Sequence, residues 1–242
     1  MLVSDEQFCM KNFIVIILFL ALFANVSAQN KLIMADLEVK DSSGTIYPLA
    51  IWQKLIMSGK YSINMLPGGK TAMLSRLSAE ETERMFAKMP KPPESKFFIT
   101  GEKISSFSER DMNGNKFNLK ELTGKVVVLN FWFINCGPCR QEMPQLNELV
   151  ETYKSNTNVV FLAVSLDPKY DIKEFLKTNP FSYNIIDNGR YIASKYNVTS
   201  YPTHAVLDKQ GKVIFHTSGL GMSTVPWVKK SIEAALHDAV PL

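Results

Sequence analysis

VVVLNFWFINCGPCRQE, residues 126–142 of a chain of 242 residues, joins an apolar run to a Cys-x-x-Cys motif. The run Val126–Phe133 is eight residues long and rich in β-branched and aromatic side chains. A run of this length and composition predicts a strand that is buried on both faces. Helical spacing returns after it, through Leu146, Leu149 and Val150. The sequence therefore predicts that the two cysteines lie where a central strand passes into a helix.

Cys136 is predicted to be the attacking thiol of the pair. The first turn of a helix has unpaired backbone N–H groups and the positive end of the helix dipole, and both stabilise an anion. In Cys-x-x-Cys motifs of this kind the thiol pKa falls from about 8.5 to between roughly 3.5 and 7.5. Pro138 is compatible with a first helical turn, since proline has no N–H to lose there. Cys136 can then attack a disulfide, and Cys139 can resolve the mixed disulfide that forms.

Two other uses of the motif are weighed against this one. A zinc site normally needs four ligands, and the remaining candidates are Cys9 and three scattered histidines, His204, His216 and His237. A purely structural disulfide in so short a ring would constrain the unfolded chain little. Redox exchange is the favoured interpretation, and no metal is predicted.

Residues 10–30, MKNFIVIILFLALFANVSAQN, have the pattern of a secretory signal peptide: a basic residue, an apolar core and small residues before a cleavage site after Ala28. An uncleaved membrane anchor is the alternative, but the apolar core is shorter than the roughly 17 to 25 residues that a spanning helix needs. We therefore expect residues 1–28 to be removed and the protein to be exported to the periplasm. Thiols oxidise readily there, so the two cysteines left in the mature chain are expected to be redox-active.

Composition predicts an ordinary globular protein. The chain is 46% hydrophobic and 21% charged, with a formal net charge of +4. No cluster of lysine and arginine is dense enough to indicate nucleic-acid binding.

Residues 29–95 are predicted to form a small α+β region of open role, ending in a linker. A hairpin is expected around Asp41–Gly44, and Ser78 with Glu81 predicts a capping box at the start of a helix that reaches Lys88. The proline-rich residues 89–93 should end that helix. A second domain is expected over residues 96–242.

The second domain is predicted to alternate strands and helices. Asn113–Gly114 marks a hairpin, and a second buried strand, Val159–Leu166, should lie parallel to the first. The remaining predicted elements are helix Asp171–Lys177, strand Tyr183–Ile186, helix Arg190–Tyr196, the hairpin strands His204–Leu207 and Lys212–His216, and helix Thr224–Ala239.

The stretches NFWFINCGPCRQEMPQL and SYPTHAVLD resemble the thioredoxin superfamily, and more narrowly its TlpA- and ResA-like periplasmic thiol-disulfide oxidoreductases. The resemblance covers about residues 97–242. It implies an α/β fold, a thioredoxin-like three-layer sandwich with an N-terminal hairpin and a central helix–strand insert at residues 167–186. One departure is Asn135, where the family usually has Trp. This change affects the expected detail of partner docking and leaves the redox chemistry intact.

The resemblance also implies a substrate-binding loop at Tyr201, Pro202 and Thr203, and we expect Trp132 to contribute to substrate binding as well. From chemistry alone, Pro202 is compatible with a simple entry into a strand. The matching proline of the family is cis and lies against the active disulfide, so a cis Tyr201–Pro202 bond is expected.

Glu142 is the third predicted catalytic residue. It follows Cys139 by three residues, so on a helix it lies on roughly the same face. ResA-like proteins carry an acidic residue here, which implies that Glu142 takes the proton of Cys139 during resolution. The alternative is an exposed glutamate favoured by the helix dipole. Asn130 occupies the position of a buried Asp in cytosolic thioredoxins and cannot act as a base, and His204 is interpreted as an ordinary strand side chain.

The resulting prediction is an exported reductase of specific protein disulfides, for example in cytochrome c maturation. It would need no cofactor, and its partners would be disulfide-containing proteins and a membrane-bound electron donor. Two alternatives are a thioredoxin-fold peroxidase and a non-catalytic module that binds copper or a partner through its thiols. The peroxidase is disfavoured because the residues before Cys136 do not form the expected Pro-x-x-x-Thr-x-x-Cys loop.

Overall fold

The computed structural model describes residues 36–238, which divide into two compact units. The predicted signal peptide and Cys9 lie outside the described residues. No helix within residues 36–238 is both long and apolar enough to cross a membrane.

The first unit comprises residues 36–56 and 60–77 and contains a four-stranded sheet in the order β2-β1-β4-β3. Its elements are β1 Glu38–Lys40, β2 Ile46–Tyr47, α1 Leu49–Met57, β3 Tyr61–Met65 and β4 Thr71–Arg76. The hairpin predicted around Asp41–Gly44 is confirmed, because β1 and β2 pair antiparallel. Strand β4 was not predicted, although it lies between β1 and β3 and provides Ala72 and Leu74 to the small core.

The second unit comprises residues 57–59 and the chain from Ser78 onwards. Its helices are α2 Ala79–Ala87, α3 Gly137–Thr152, α4 Lys169–Leu176, α5 Arg190–Lys195 and α6 Thr224–Leu236. Its strands are β5 Ser108–Arg110, β6 Lys116–Asn118, β7 Val126–Trp132, β8 Val159–Ser165, β9 Asn184–Ile186, β10 Thr203–Leu207 and β11 Val213–Ser218. The capping box of Ser78 and Glu81 is present at the start of α2, as predicted.

The central sheet has the order β11-β10-β7-β8-β9. Every residue of β7 and β8 is buried, and the two strands pair in parallel, which confirms the predicted βαβ unit. Strands β10 and β11 are antiparallel, as predicted for the second hairpin.

Two apolar clusters lie on opposite faces of this sheet and give the fold its three layers. Val128 and Trp132 of β7 face one cluster, which contains the buried residues of α3 and α6. Val127, Leu129 and Phe131 alternate with them and face the other cluster, against α5 and the β5–β6 hairpin. The predicted three-layer thioredoxin-like fold is confirmed.

A segment before the hairpin runs along β11, the edge strand of the sheet. The backbone N–H of Gly101 donates to the carbonyl of Val213 at 2.7 Å, and the N–H of Val213 donates to the carbonyl of Glu102 at 2.9 Å. Thr217 donates from Oγ1 to the carbonyl of Pro93 at 2.8 Å. The start of the edge strand is thereby paired with the chain's own backbone, which hinders pairing with another molecule there.

Candidate active site

Cys136 and Cys139 form a disulfide at the start of α3, the helix that follows β7. Cys136 is the residue before the first helical turn, and the backbone N–H of Cys139 donates to Cys136 Sγ at 3.2 Å. In the reduced protein, an N–H in this position would stabilise a thiolate on Cys136.

The sulfurs are less accessible than the sequence suggested. Cys136 was expected at an exposed helix start, but it is only 4% exposed, and Cys139 is 1% exposed. The surrounding residues Asn135, Gly137 and Pro138 are exposed. The exposed surface beside the disulfide is therefore formed by these neighbours of Cys136.

The loop between β7 and the disulfide is held by Asp167. Its Oδ2 atom accepts a hydrogen bond from the backbone N–H of Ile134 at 2.7 Å and from Ser165 Oγ at 3.2 Å. This carboxylate connects the loop to the end of β8, the strand adjacent to β7. The loop that carries Cys136 is therefore held by both strands.

The Tyr201–Pro202 peptide bond is cis, as predicted. Tyr201 is half-buried, and its hydroxyl donates to the carbonyl of Val198 at 3.0 Å. Its ring meets the ring of Phe133 edge-on, with 5.4 Å between the centroids. Phe133 belongs to the loop that leads to Cys136, so this contact joins the proline loop to the disulfide loop.

Two predicted substrate-binding side chains are corrected by the structure. Trp132 is fully buried and packs against the rings of Phe175 and Phe181. Thr203 is also fully buried, and its hydroxyl donates to the carbonyl of Ser200 at 2.7 Å. A substrate cannot reach either side chain, because both point into the core from fully buried strands.

Glu142 is buried, with 1% of its surface exposed, so the alternative of an exposed glutamate at the helix start is wrong. Its Oε1 atom lies 2.9 Å from His204 Nε2 and accepts a hydrogen bond from Asn130 Nδ2 at 3.3 Å. Asn130 Nδ2 also lies 3.4 Å from both ring nitrogens of His204. The three side chains therefore form one buried polar cluster.

His204 is the member of this cluster that sequence reasoning missed. It lies in β10, as predicted, but it is completely buried and contacts Glu142. Asn130 and His204 are directly opposite each other in the pairing of β7 with β10. The register of these two strands was the missing information, since it determines that both side chains point to the face covered by α3.

Three further polar atoms are buried in this region without a hydrogen-bond partner among residues 36–238: Glu142 Oε2, Tyr183 Oη and Trp132 Nε1. Burial, together with the charge of Glu142, raises the pKa of Tyr183 well above its ordinary value. Tyr183 is therefore a neutral phenol near Glu142. No cluster of three or more His, Cys, Asp or Glu side chains in the described part of the chain could hold a metal ion.

Comparison with known proteins places this site among disulfide-exchanging enzymes. The family model described as "AhpC/TSA family" matches residues 100–216. The thiol-disulfide oxidoreductase ResA of a Bacillus cereus strain is 39% identical over 143 residues, an alignment that covers 58% of this chain and 79% of the relative. The thioredoxin-like protein YneN of Bacillus subtilis is 35% identical over 115 residues, covering 47% of this chain and 68% of the relative.

A solved structure agrees on the fold. The solution structure of a candidate protein disulfide isomerase from Bacteroides thetaiotaomicron superposes with a TM-score of 0.53 at 24% identity, covering 58% of this chain and 91% of the other. At this level of identity the likeness supports the thioredoxin fold alone.

Proposed function

Because the chain belongs to the ResA-type thiol-disulfide oxidoreductases of the AhpC/TSA family, we propose that it works outside the cytosol as a reductase of specific protein disulfides. The observation that carries this proposal is the Cys136–Cys139 disulfide at the start of α3, with a backbone N–H directed at Cys136 Sγ. The exchange of disulfides follows from the family, whereas the direction of exchange and the export are our proposals.

The reaction uses the two sulfurs in sequence. The Cys136 thiolate attacks one sulfur of the substrate disulfide, the substrate S–S bond breaks, and the first substrate sulfur leaves as a thiolate and takes up a proton. The Cys139 thiolate then attacks Cys136 Sγ and releases the second substrate sulfur. Two electrons pass from the cysteine pair to the substrate, which becomes a dithiol while the pair becomes a disulfide.

We assign to Glu142 the role of base in the second step. The Oε1 atom is held by His204 and Asn130, whereas Oε2 has no hydrogen-bond partner among the described residues. Glu142 lies one helical turn after Cys139 on the buried face of α3, so the proton of Cys139 has a carboxylate oxygen on the same face to receive it.

Substrate binding is proposed for the exposed residues beside Cys136 and for the proline loop. Tyr201 and Phe133 are half-buried and form an apolar pair next to the disulfide loop. Pro202 is cis, and the backbone of Tyr201 before it would pair with an extended segment of the substrate. In this proposal the substrate is recognised by backbone hydrogen bonds and apolar contacts. These contacts replace the substrate-binding roles predicted for the side chains of Trp132 and Thr203.

The Gly137–Pro138 dipeptide between the cysteines favours the reducing direction. Thioredoxin has a potential of about −270 mV, whereas the strong oxidant DsbA has a potential of about −120 mV. A reductase outside the cytosol must be re-reduced, so the proposal includes a membrane-bound electron donor. Cytochrome c maturation is proposed as one setting in which specific protein disulfides must be reduced.

The test is reduction of insulin by the purified protein with dithiothreitol as the electron source. We expect turnover by the wild-type protein and none by Cys136→Ala. Copper titration and hydroperoxide consumption measured in parallel separate the two alternatives. Copper binding without insulin reduction would favour the non-catalytic module, and hydroperoxide consumption without insulin reduction would favour the peroxidase.

A further inference from the structure

We propose that His204 is a positioning residue of the resolving step and holds the Glu142 carboxylate in place through the hydrogen bond between His204 Nε2 and Glu142 Oε1. This inference rests on the proposed role of Glu142 as the base for Cys139. It adds a second residue to the resolving step and predicts that the full rate needs a hydrogen-bond donor at position 204.

The strand register brings the three side chains together. Asn130 and His204 are opposite each other on the antiparallel strands β7 and β10, so they lie on the same face of the sheet. Trp132 on β7 and Val206 on β10, two residues further along each strand, pack in the apolar cluster that also contains Cys136 and Cys139. Asn130 and His204 therefore point into the layer where α3 carries Glu142.

The two partners of Glu142 differ in what they can do. A buried carboxylate is costly unless hydrogen bonds or an opposite charge compensate it. Asn130 can only donate a hydrogen bond at 3.3 Å. His204, at 2.9 Å, can donate as a neutral ring and can also take up a proton and become a cation. Of the two partners, only His204 can therefore become charged.

The other titratable groups that face the pair are Tyr183, Cys136 and Cys139. Tyr183 stays neutral because burial and the charge of Glu142 raise its pKa. The two cysteines are the reacting groups themselves and do not titrate while they form the disulfide. Among the described residues, His204 is consequently the one hydrogen-bond partner of Glu142 that can carry an opposite charge.

The hydrogen bond has a direct effect on resolution. A donor at His204 Nε2 holds Oε1 in place and leaves Oε2 to accept the proton of Cys139. Without this donor, the buried carboxylate would lose its shortest hydrogen bond. The rate of resolution should therefore fall when the side chain at position 204 cannot donate.

The experiment uses 5,5′-dithiobis(2-nitrobenzoate) as the disulfide and follows absorbance in a stopped-flow instrument from pH 5 to pH 9. The first release of thionitrobenzoate reports the attack by Cys136, and the second reports resolution by Cys139. The variants are His204→Gln, His204→Leu, Glu142→Gln and the double variant His204→Gln/Glu142→Gln. His216→Asn is the matched control, because His216 is a buried histidine on the neighbouring strand β11 and hydrogen-bonds to Ser95.

Glutamine at position 204 keeps an N–H donor for Glu142 but cannot titrate, whereas leucine removes the donor. We expect His204→Leu to slow the second release about tenfold at pH 7, below the roughly 10²- to 10⁴-fold that a lost general base costs. We expect His204→Gln to recover most of that loss, because it restores the donor. His204→Gln should have no further effect in the Glu142→Gln background, and His216→Asn should match the wild type.

Each of the other possible outcomes shows which assignment is wrong. If Glu142→Gln slows the second release but both His204 variants keep the wild-type rate and pH profile, His204 has no role and the base assignment stands. If Glu142→Gln leaves the second release unchanged, Glu142 is not the base and the proposal for His204 fails with it. Failure of the wild type to reduce insulin would instead contradict the proposed function. If His204→Leu does not fold, the comparison of His204→Gln with the double variant His204→Gln/Glu142→Gln decides.

Discussion

The two cysteines have different surroundings, and this difference assigns their roles. Cys136 precedes the first turn of α3 and its sulfur accepts a backbone N–H, whereas Cys139 lies inside the helix and is almost completely buried. We therefore expect a substrate sulfur to react with Cys136, whose neighbours Asn135, Gly137 and Pro138 are exposed.

The first prediction concerns trapped intermediates. Cys139→Ala removes the resolving thiol, so mixed disulfides between Cys136 and substrate proteins should accumulate. Cys136→Ala should form none. The measurement is non-reducing gel electrophoresis of affinity-purified protein from cells expressing either variant. Accumulation in Cys136→Ala and not in Cys139→Ala would reverse the assignment.

The second prediction concerns His216, which holds the segment along the edge strand. The N–H of Ser95 donates to His216 Nδ1 at 3.1 Å. Burial lowers the pKa of His216, and the charge of Lys91 acts in the same direction, against the opposing effect of Glu94. The unfolded chain therefore binds a proton at His216 near pH 6.5, whereas the folded chain binds it only at lower pH. The free energy of unfolding should consequently fall as the pH drops through about 6.5.

Urea unfolding at pH 8, 7, 6 and 5 measures this dependence. His216→Asn keeps an acceptor for Ser95 and cannot titrate in this range, so its free energy of unfolding should depend less on pH than that of the wild type. Equal pH dependence in the two proteins would show that His216 does not contribute to acid sensitivity.

At the residue scale, the candidate reactive residues were easier to predict than the burial and contacts of the side chains around them. Cys136 and Cys139 follow from a local motif, the cis bond at Pro202 was implied by the family resemblance, and Glu142 was expected from its spacing on the helix together with that resemblance. The importance of His204 and the burial of Trp132 and Thr203 depend on which strands pair and in which register. Those facts are set by contacts between residues far apart in the chain, such as Asn130 with His204.

At the scale of elements, α5 packs unusually close to β8. A Cβ atom on Gly189 would lie 2.3 Å from Val164 Cγ1 and 3.0 Å from the carbonyl oxygen of Ser165. The N–H of Gly189 also donates to that same carbonyl at 2.7 Å. Any residue can adopt the backbone conformation of Gly189, φ −76° and ψ 16°. Glycine is therefore required only because there is no room for a Cβ atom.

The third prediction follows from this contact. Gly189→Ala should lower the free energy of unfolding by about 1 to 3 kcal/mol, because the added methyl group forces β8 and α5 apart. Gly221→Ala is the control, since a Cβ there would meet only Thr224 Oγ1, at 3.4 Å. Urea unfolding of both variants measures the difference. Equal stability of the two variants would contradict the packing argument.

Elements with strong local patterns were predicted well. The buried run of β7 and the capping box of α2 are each determined by residues close together in the sequence, and both are present. Strand β4, with the sequence TAMLSR, was missed, and it forms only by pairing with β1 on one side and β3 on the other. A strand that depends on two partners gives a weak local pattern.

At the scale of the whole molecule, the redox unit and the N-terminal unit differ in how well they can be interpreted. The alignment with the ResA protein of Bacillus cereus covers 58% of this chain, and the family model matches residues 100–216. The thioredoxin-like fold could therefore be expected from motifs. The first unit offered only hairpin and helix patterns, which predict elements and indicate no activity.

The central claim is that the Cys136–Cys139 pair works in the reducing direction, and the equilibrium reduction potential of that pair tests it most directly. The purified protein would be equilibrated in dithiothreitol redox buffers and the fraction of free thiols counted after alkylation. We predict a potential near −270 mV, in the range of thioredoxin, because Gly-Pro separates the cysteines. A potential near −120 mV, in the range of DsbA, would contradict the account and make the protein an oxidant.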